Sequence, residues 1–295
     1  MKNKRLLVIL LLFIFIGGAA VSTAVVFRVE KINIILLDKL DQEKYMSTSE
    51  ISNVLADSKQ KVKGVVRKKN LLFSVNDKKV RNAVETGDAR IKVANILRKA
   101  PNTLNVEIHE RYPMYYLIYG TRTAILDSSL QIVSHDEGLL VSFDLINITA
   151  QFEDLNDSFE DFKPGDNLCD FALTTVDKEH AKALVDMAKI FARSDLDGGY
   201  KEADLARLIQ NIDFYAPATP DDNMTIVLRD PRPEAGSFHL NIEIRHFQTN
   251  FGAKIFMAWY CLQQETEYRQ GYLIVGKYNE PENITAIFIP HGDGA

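Results

Sequence analysis

Pro101 to Pro113 read PNTLNVEIHERYP, and this stretch decides the fold of the N-terminal part of the chain. Pro101-Asn102 is turn chemistry, because proline presets φ at the first central position of a turn and asparagine tolerates the second. From Thr103 the residues alternate. Leu104, Val106 and Ile108 fall on one side and Asn105, Glu107 and His109 on the other, the period-two spacing of a strand with one buried face. Glu110-Arg111 sets a carboxylate beside a guanidinium, and Pro113, which cannot donate to a ladder, is expected to end the pairing. Ile91 and Val93 begin a matching run upstream, so residues 90–100 and 103–111 are expected to form a β-hairpin.

Two helices are predicted before the hairpin. Ser47 and Glu50 have the spacing of a capping box ahead of the apolar stripe Ile51, Val54 and Leu55. Asn76 is the N-cap expected for a shorter helix carrying Val80, Ala83 and Val84, with Gly87 as its stop. Asn70-Leu71-Leu72-Phe73-Ser74-Val75 lies between them.

Pro101, Asn102, Thr103 and Leu104, the alternating strand, and then Glu110, Arg111 and Pro113 resemble the signature of the DivIB/FtsQ family of bacterial cell-division proteins. Asn70–Val75 is similar to that family's Asn-Leu-Phe-x-Ile run, with one leucine added. The order strand, helix, helix, strand, strand is that of a POTRA domain, the membrane-proximal module of the family. The resemblance implies an α+β protein with a single N-terminal transmembrane helix. A β-α-α-β-β POTRA domain would follow, and then a mixed α/β "β-domain" with a mainly antiparallel sheet. The divisions expected are a cytoplasmic tail at 1–5, an anchor at 6–27, the POTRA domain at 28–112 and the β-domain at 113–295. Asp38–Ser47 departs from the family, whose first strand commonly turns into its helix through a short Gly-Asn connection.

The first residues bear on compartment. Lys2, Lys4 and Arg5 precede an uncharged run from Leu6 to Phe27. Its 22 residues, at about 1.5 Å each, match a hydrocarbon core of roughly 30 Å. The basic residues ahead of it favour a cytoplasmic N-terminus. Ser22-Thr23-Ala24 would suit a signal peptidase, but Val25, Val26 and Phe27 continue the apolar run past it, which favours an uncleaved anchor. The expected location is therefore the cytoplasmic membrane with the bulk of the chain outside, and the family resemblance implies the division septum.

The composition, 46% hydrophobic and 25% charged, is that of a globular chain, and its length allows two domains. The net charge of −5 hides an asymmetry. Residues 28–113 hold 18 Lys and Arg against 11 Asp and Glu, whereas residues 114–295 hold 14 against 29. A net-acidic extracytoplasmic chain excludes nucleic acid as a natural partner.

Beyond Pro113 the spacing predicts strands at Met114–Tyr119, Thr123–Leu126 and Gln131–Val133, with Asp127-Ser128-Ser129 as a turn. Leu130 stands where the family's hairpin has glycine. Thr174 to Asp177 is the cap expected for a helix carrying Ala181, Leu184, Val185, Ala188 and Phe191. A helical turn is expected at Leu205–Ile209 and strands at Ile212–Tyr215, Met224–Leu228 and His239–Ile244. A helix through Ile255, Ala258, Trp259 and Leu262 and strands at Gly271–Val275 and Ile284–Ile289 complete the reading.

No chemistry-bearing motif emerges. The six histidines lack metal-ligand spacing, and there is no GxSxG elbow, P-loop or Cys-His signature. Asp195 to Ala206 fails as a calcium loop because Tyr200 and Ala206 occupy the glycine and bidentate-carboxylate positions. Cys169 and Cys261 lie 92 residues apart and define no disulfide framework. No catalytic residue, cofactor or metal is expected.

The resemblance implies a scaffold that binds FtsB/DivIC-type and FtsL-type bitopic division proteins and helps control the septal peptidoglycan synthesis machinery. Partner binding falls on the family's C-terminal strands. Here the corresponding stretch is Gly271–Ile289, and it holds Lys277 and Tyr278, similar to an Arg-Tyr pair with Gly276 disturbing the alignment, and then Ile284, Thr285, Ala286, Ile287 and Phe288. Tyr278 either anchors a partner or packs against Trp259. The competing readings are another POTRA-bearing anchored protein that handles secreted polypeptides, and a secreted hydrolase.

Overall fold

The computed structural model describes residues 26–37, 46–66, 71–136, 144–148, 152, 155, 157–193, 199–214, 223–229, 240–264, 271–276 and 284–290. The Leu6–Phe27 run therefore lies almost wholly outside the described residues. No helix among those described is long and apolar enough to cross a membrane. The chain divides between Arg111 and Tyr112 into two compact units.

The first unit contains β1 (Lys31–Leu36), α1 (Thr48–Val65), α2 (Asp77–Glu85), β2 (Ile91–Lys99) and β3 (Thr103–Glu110). This is the expected order. β3 is central: it runs antiparallel to β2 and parallel to β1, in the order β1-β3-β2. Leu104, Val106 and Ile108 are all fully buried beneath the two helices. The Ser47–Glu50 capping box is present, and the Asn76 side chain accepts from the Lys79 N–H. α2 ends at Glu85 with Thr86 as its cap, and Gly87 follows without left-handed geometry.

Each motif residue holds a different element. The Ala100–Pro101 peptide is cis, and Ala100 to Asn102 link the hairpin strands. The Asn102 carbonyl accepts from the N–H groups of Glu30 and Lys31 at 2.9 and 3.2 Å, which ties the turn to β1. Glu110 accepts from the Met46 N–H just ahead of α1. The Arg111 side chain, 5% exposed, donates through Nε to the Ile91 carbonyl at 3.2 Å. Two expectations are corrected. Pro113 does not close β3; it opens the next strand, at the position where a missing N–H is tolerated. Asn105 does not face water but is 4% exposed, because β1 lies alongside β3 and supplies a partner for its amide.

The second unit is built on a nine-stranded mixed sheet. Its strands are β4 (Pro113–Tyr119), β5 (Arg122–Asp127), β6 (Ile132–Asp136), β7 (Ile146–Asn147), β8 (Ile209–Phe214), β9 (Met224–Leu228), β10 (Leu240–Ile244), β11 (Gly271–Val275) and β12 (Ala286–Pro290). The order across the sheet is β12-β11-β10-β9-β8-β7-β4-β5-β6. β4–β7, β7–β8 and β10–β11 pair in parallel and the other neighbours antiparallel. The helices are α3 (Thr175–Phe191), α4 (Glu202–Leu208) and α5 (Phe251–Gln264).

Thr174 and Asp177 form the expected capping box of α3. Its buried face carries Leu184, whose carbonyl accepts from the fully buried Tyr115 hydroxyl at 3.0 Å. Burial pushes that phenol well above its ordinary pKa. Ile209 is corrected from helix to strand: it leaves α4 with extended backbone and starts β8. Leu130 takes φ 60°, the left-handed conformation glycine supplies elsewhere, and its side chain is fully buried. The Asp127 carboxylate fastens this turn by accepting from the N–H groups of Ser129 and Gln131 at 2.8 and 3.0 Å.

Candidate partner-binding edge

Among the described residues, β12 is the outermost strand at one end of the large sheet. Its position follows from alternation in two short runs. In β11, Leu273 and Val275 are buried while Tyr272 is 39% exposed. In β12, Ala286 and Phe288 pack against the core, as does Ile284 just before the strand, whereas Ile287 and Ile289 are 58% and 48% exposed. Val275 pairs with Ala286, half-buried Ile274 with Ile287 and Tyr272 with Ile289, so these outward side chains form two apolar cross-strand rows on the open face.

The opposite face is covered by α5, which packs on β10, β11 and β12. Ile255, Ala258 and Trp259 point into the core. Trp259 meets Tyr200 and Phe191 edge-on at ring distances of 4.5 and 5.5 Å. Lys254 is also buried and donates to the carbonyls of Arg245 and His246 at 2.8 and 2.7 Å. Burial lowers its pKa. The ammonium thereby fixes the turn before α5, and Arg245 N–H in turn donates to the Val275 carbonyl at 3.0 Å.

Gly276 follows β11 with φ 122°, and a Cβ there would stand 3.1 Å from the Arg245 carbonyl oxygen. The residue that disturbs the family alignment is thus required by backbone geometry and by close approach. The Gly276 N–H donates to the Thr285 carbonyl at 2.9 Å. Antiparallel ladders alternate bonded and non-bonded pairs, so Ile287 and Ile289 direct their backbone groups toward β11. Ala286 and Phe288 direct theirs away from it. Pro290 shares that outward phase, where its missing N–H costs the sheet nothing.

The apolar rows have a polar border. Glu243 of β10 lies opposite Ile274 and accepts from Arg245 Nε at 2.8 Å, and Asn241 lies opposite Tyr272. An apolar strip edged by polar groups is the anatomy of a protein-binding patch.

Of the site residues expected from sequence, Ile284, Thr285, Ala286, Ile287 and Phe288 come together at this edge, although the strand itself begins at Ala286. Lys277 and Tyr278 lie outside the described residues. Tyr272 and Ile289 fall within the expected strands but were not singled out, and the alternation about Leu273 and Phe288 is the signal that identifies them. Elsewhere, a cleft of about 200 Å³ is lined by Glu179, Lys182, Asp186, Phe247 and Phe251, among others, without a Ser, Cys or His nucleophile. No disulfide joins Cys169 and Cys261.

Residues 27–111 match the family model for the POTRA domain, FtsQ-type. No curated protein matches the chain.

Proposed function

The chain carries an FtsQ-type POTRA domain, which supports membership of the FtsQ/DivIB family of cell-division proteins, and from this premise we propose a membrane-anchored scaffold of the divisome. In this reading Leu6–Phe27 spans the cytoplasmic membrane with residues 1–5 inside. The POTRA unit and the sheet-bearing unit then stand outside at the septum. The protein works by binding, without catalysis or a cofactor. Its partners are bitopic division proteins of the FtsB/DivIC and FtsL types, through which it helps control septal peptidoglycan synthesis.

The observation that carries the reading is the β12 edge. A partner segment that adds as a strand would pair with the outward backbone of Ala286 while its side chains meet the Ile287, Ile289 and Tyr272 rows. Main-chain bonds then provide affinity and alternate side chains provide specificity. Thr285 and Phe288 frame the same edge, and Lys277 and Tyr278 are proposed to flank it.

The test is a binding titration of the detergent-solubilised full chain against the outward-facing segment of an FtsB/DivIC-type protein. Truncation before Ile284 should abolish binding while the POTRA unit melts normally, and Tyr278→Ala should weaken it. Undiminished affinity after truncation would move the interface away from β12. A fluorescent fusion in dividing cells should give a midcell ring. A uniform membrane signal would favour a POTRA protein that handles secreted polypeptides, and release to the medium a secreted protein.

A further inference from the structure

We propose that Phe73, with Val26, Phe27 and Leu71, rests in the outer interface of the membrane, so that the POTRA unit is held against the bilayer by a second contact beside its tether. The inference builds on the anchor reading above. At 66% exposure, Phe73 is the most exposed large apolar residue among those described. A mobile loop does not explain this, because the turn that displays the ring is fastened on both sides.

Leu72 is fully buried, and its N–H donates to the Phe27 carbonyl at 2.7 Å. The Ser74 hydroxyl donates to the Leu71 carbonyl at 2.9 Å. Arg98 donates to the carbonyls of Leu72 and Val75 at 3.2 and 2.9 Å. One leucine is locked into the core, and the next ring is consequently driven outward.

The occupant follows from where the chain leads. Phe27 is the last residue of the 22-residue apolar run, and its ring lies 5.4 Å from that of Phe73. A bilayer of about 40–45 Å around a hydrocarbon core of about 30 Å leaves roughly 5–7 Å of headgroup region on each side. The two rings are therefore separated by about the thickness of one headgroup layer. Val26 and Leu71, 50% and 39% exposed, extend the same apolar surface, and Arg28 bridges to Leu71. A surface of this kind matches the shallow insertion of Phe and Leu at the headgroup boundary.

Charge on the same end of the sheet agrees. Arg28, Lys31 and Lys99 are exposed, with Lys31 and Lys99 both paired to Thr103. Asp77 is neutralised by Arg98, and Glu30, which accepts from the Asn102 amide, leaves the three cations in excess. A basic rim around an apolar tip suits an anionic lipid surface.

The experiment uses the full chain reconstituted into phosphatidylethanolamine–phosphatidylglycerol liposomes, in a Cys169→Ser, Cys261→Ser background. A nitroxide is attached at Phe73→Cys or, as the aqueous control, at Lys92→Cys. Lys92 lies toward the other end of β2, about 23 Å from Lys99 at roughly 3.3 Å per residue. Relaxation by oxygen relative to a nickel chelate should be several-fold higher at position 73 than at position 92, and Leu71→Asp should reduce that difference. Equal ratios with the chain still bound to the bilayer overturn the membrane contact and leave the anchor standing. Release of the chain from the liposomes by alkaline wash overturns both.

Discussion

Asn33 and Asn105 face each other across β1 and β3, and Asn33 Nδ2 donates to Asn105 Oδ1 at 3.0 Å. Asn33 is exposed and Asn105 is buried, so the pair is asymmetric. Loss of the exposed partner leaves a buried amide without that bond. Asn33→Ala should therefore destabilise the POTRA unit by about 1–3 kcal/mol, beyond the half-kilocalorie scale usual for exposed positions. A denaturant midpoint indistinguishable from the parent would show that water replaces Asn33 at no cost.

Leu104→Asp should unfold the POTRA unit, because a carboxylate on the fully buried face must be desolvated or neutralised. Glu107→Ala should be nearly neutral, since its bond from Asn95 Nδ2 lies in solvent. Native-state hydrogen exchange of β3 amides distinguishes the variants. Equal protection in both would require β3 to be shifted by one residue.

At Leu130 two effects oppose each other. Leu130→Gly removes the left-handed strain of a non-glycine residue, worth about 1–2 kcal/mol. It also empties a fully buried site, and leucine truncation costs about 2–5 kcal/mol. The cavity should win, with a net loss of roughly 1–3 kcal/mol in thermal or chemical denaturation. A stabilised glycine variant would mean that the packing of this side chain contributes little.

Burial alone would raise the Asp88 carboxyl, but hydrogen bonds and charge from Arg90 outweigh it and hold the group below the usual carboxylate range. Its contribution to stability is complete above the unfolded pKa of about 3.9 and is lost as pH falls through the lower folded value. Asp88→Asn should therefore flatten the acid limb of the POTRA unit's stability below about pH 4. Parallel acid limbs for parent and variant would remove Asp88 from the account.

Ladder phase gives a sharp test of the edge. Ala286→Pro deletes an N–H directed away from β11, so the sheet should persist while strand addition is lost. Ile287→Pro deletes an N–H directed into the sheet and should loosen β12 itself. If the Ala286→Pro variant still binds the partner segment fully, side chains alone make the interface.

Much of this architecture was legible in local spacing. Period-two alternation gave Leu104, Val106 and Ile108 their burial, and side-chain caps at Ser47, Asn76 and Thr174 marked the starts of their helices. Non-local geometry was not legible. Asn105 is polar in a strand's outward register, and only the parallel neighbour 72 residues away removes it from water. Ile209 continues the helical spacing of Leu205, yet its backbone already belongs to the sheet. β7 has two residues, too few for any period, although it joins β4 to β8. At the candidate site, alternation sorts the side chains, but the phase of the β11–β12 bonds depends on the conformation of Gly276.

The parallel pairing of β10 with β11 also sets an order in time. Parallel neighbours cannot be joined by a tight turn, so the chain must travel through α5 before β11 can find its place. Closing such a long loop costs entropy that local hairpins avoid, and distant pairings accordingly form slowly. Among the described residues β12 pairs only with β11, so the outermost strand joins the rest of the sheet through the β10–β11 contact. A chain that has not seated α5 lacks a docked β11–β12 edge, so under the proposed function it would present no surface for strand addition.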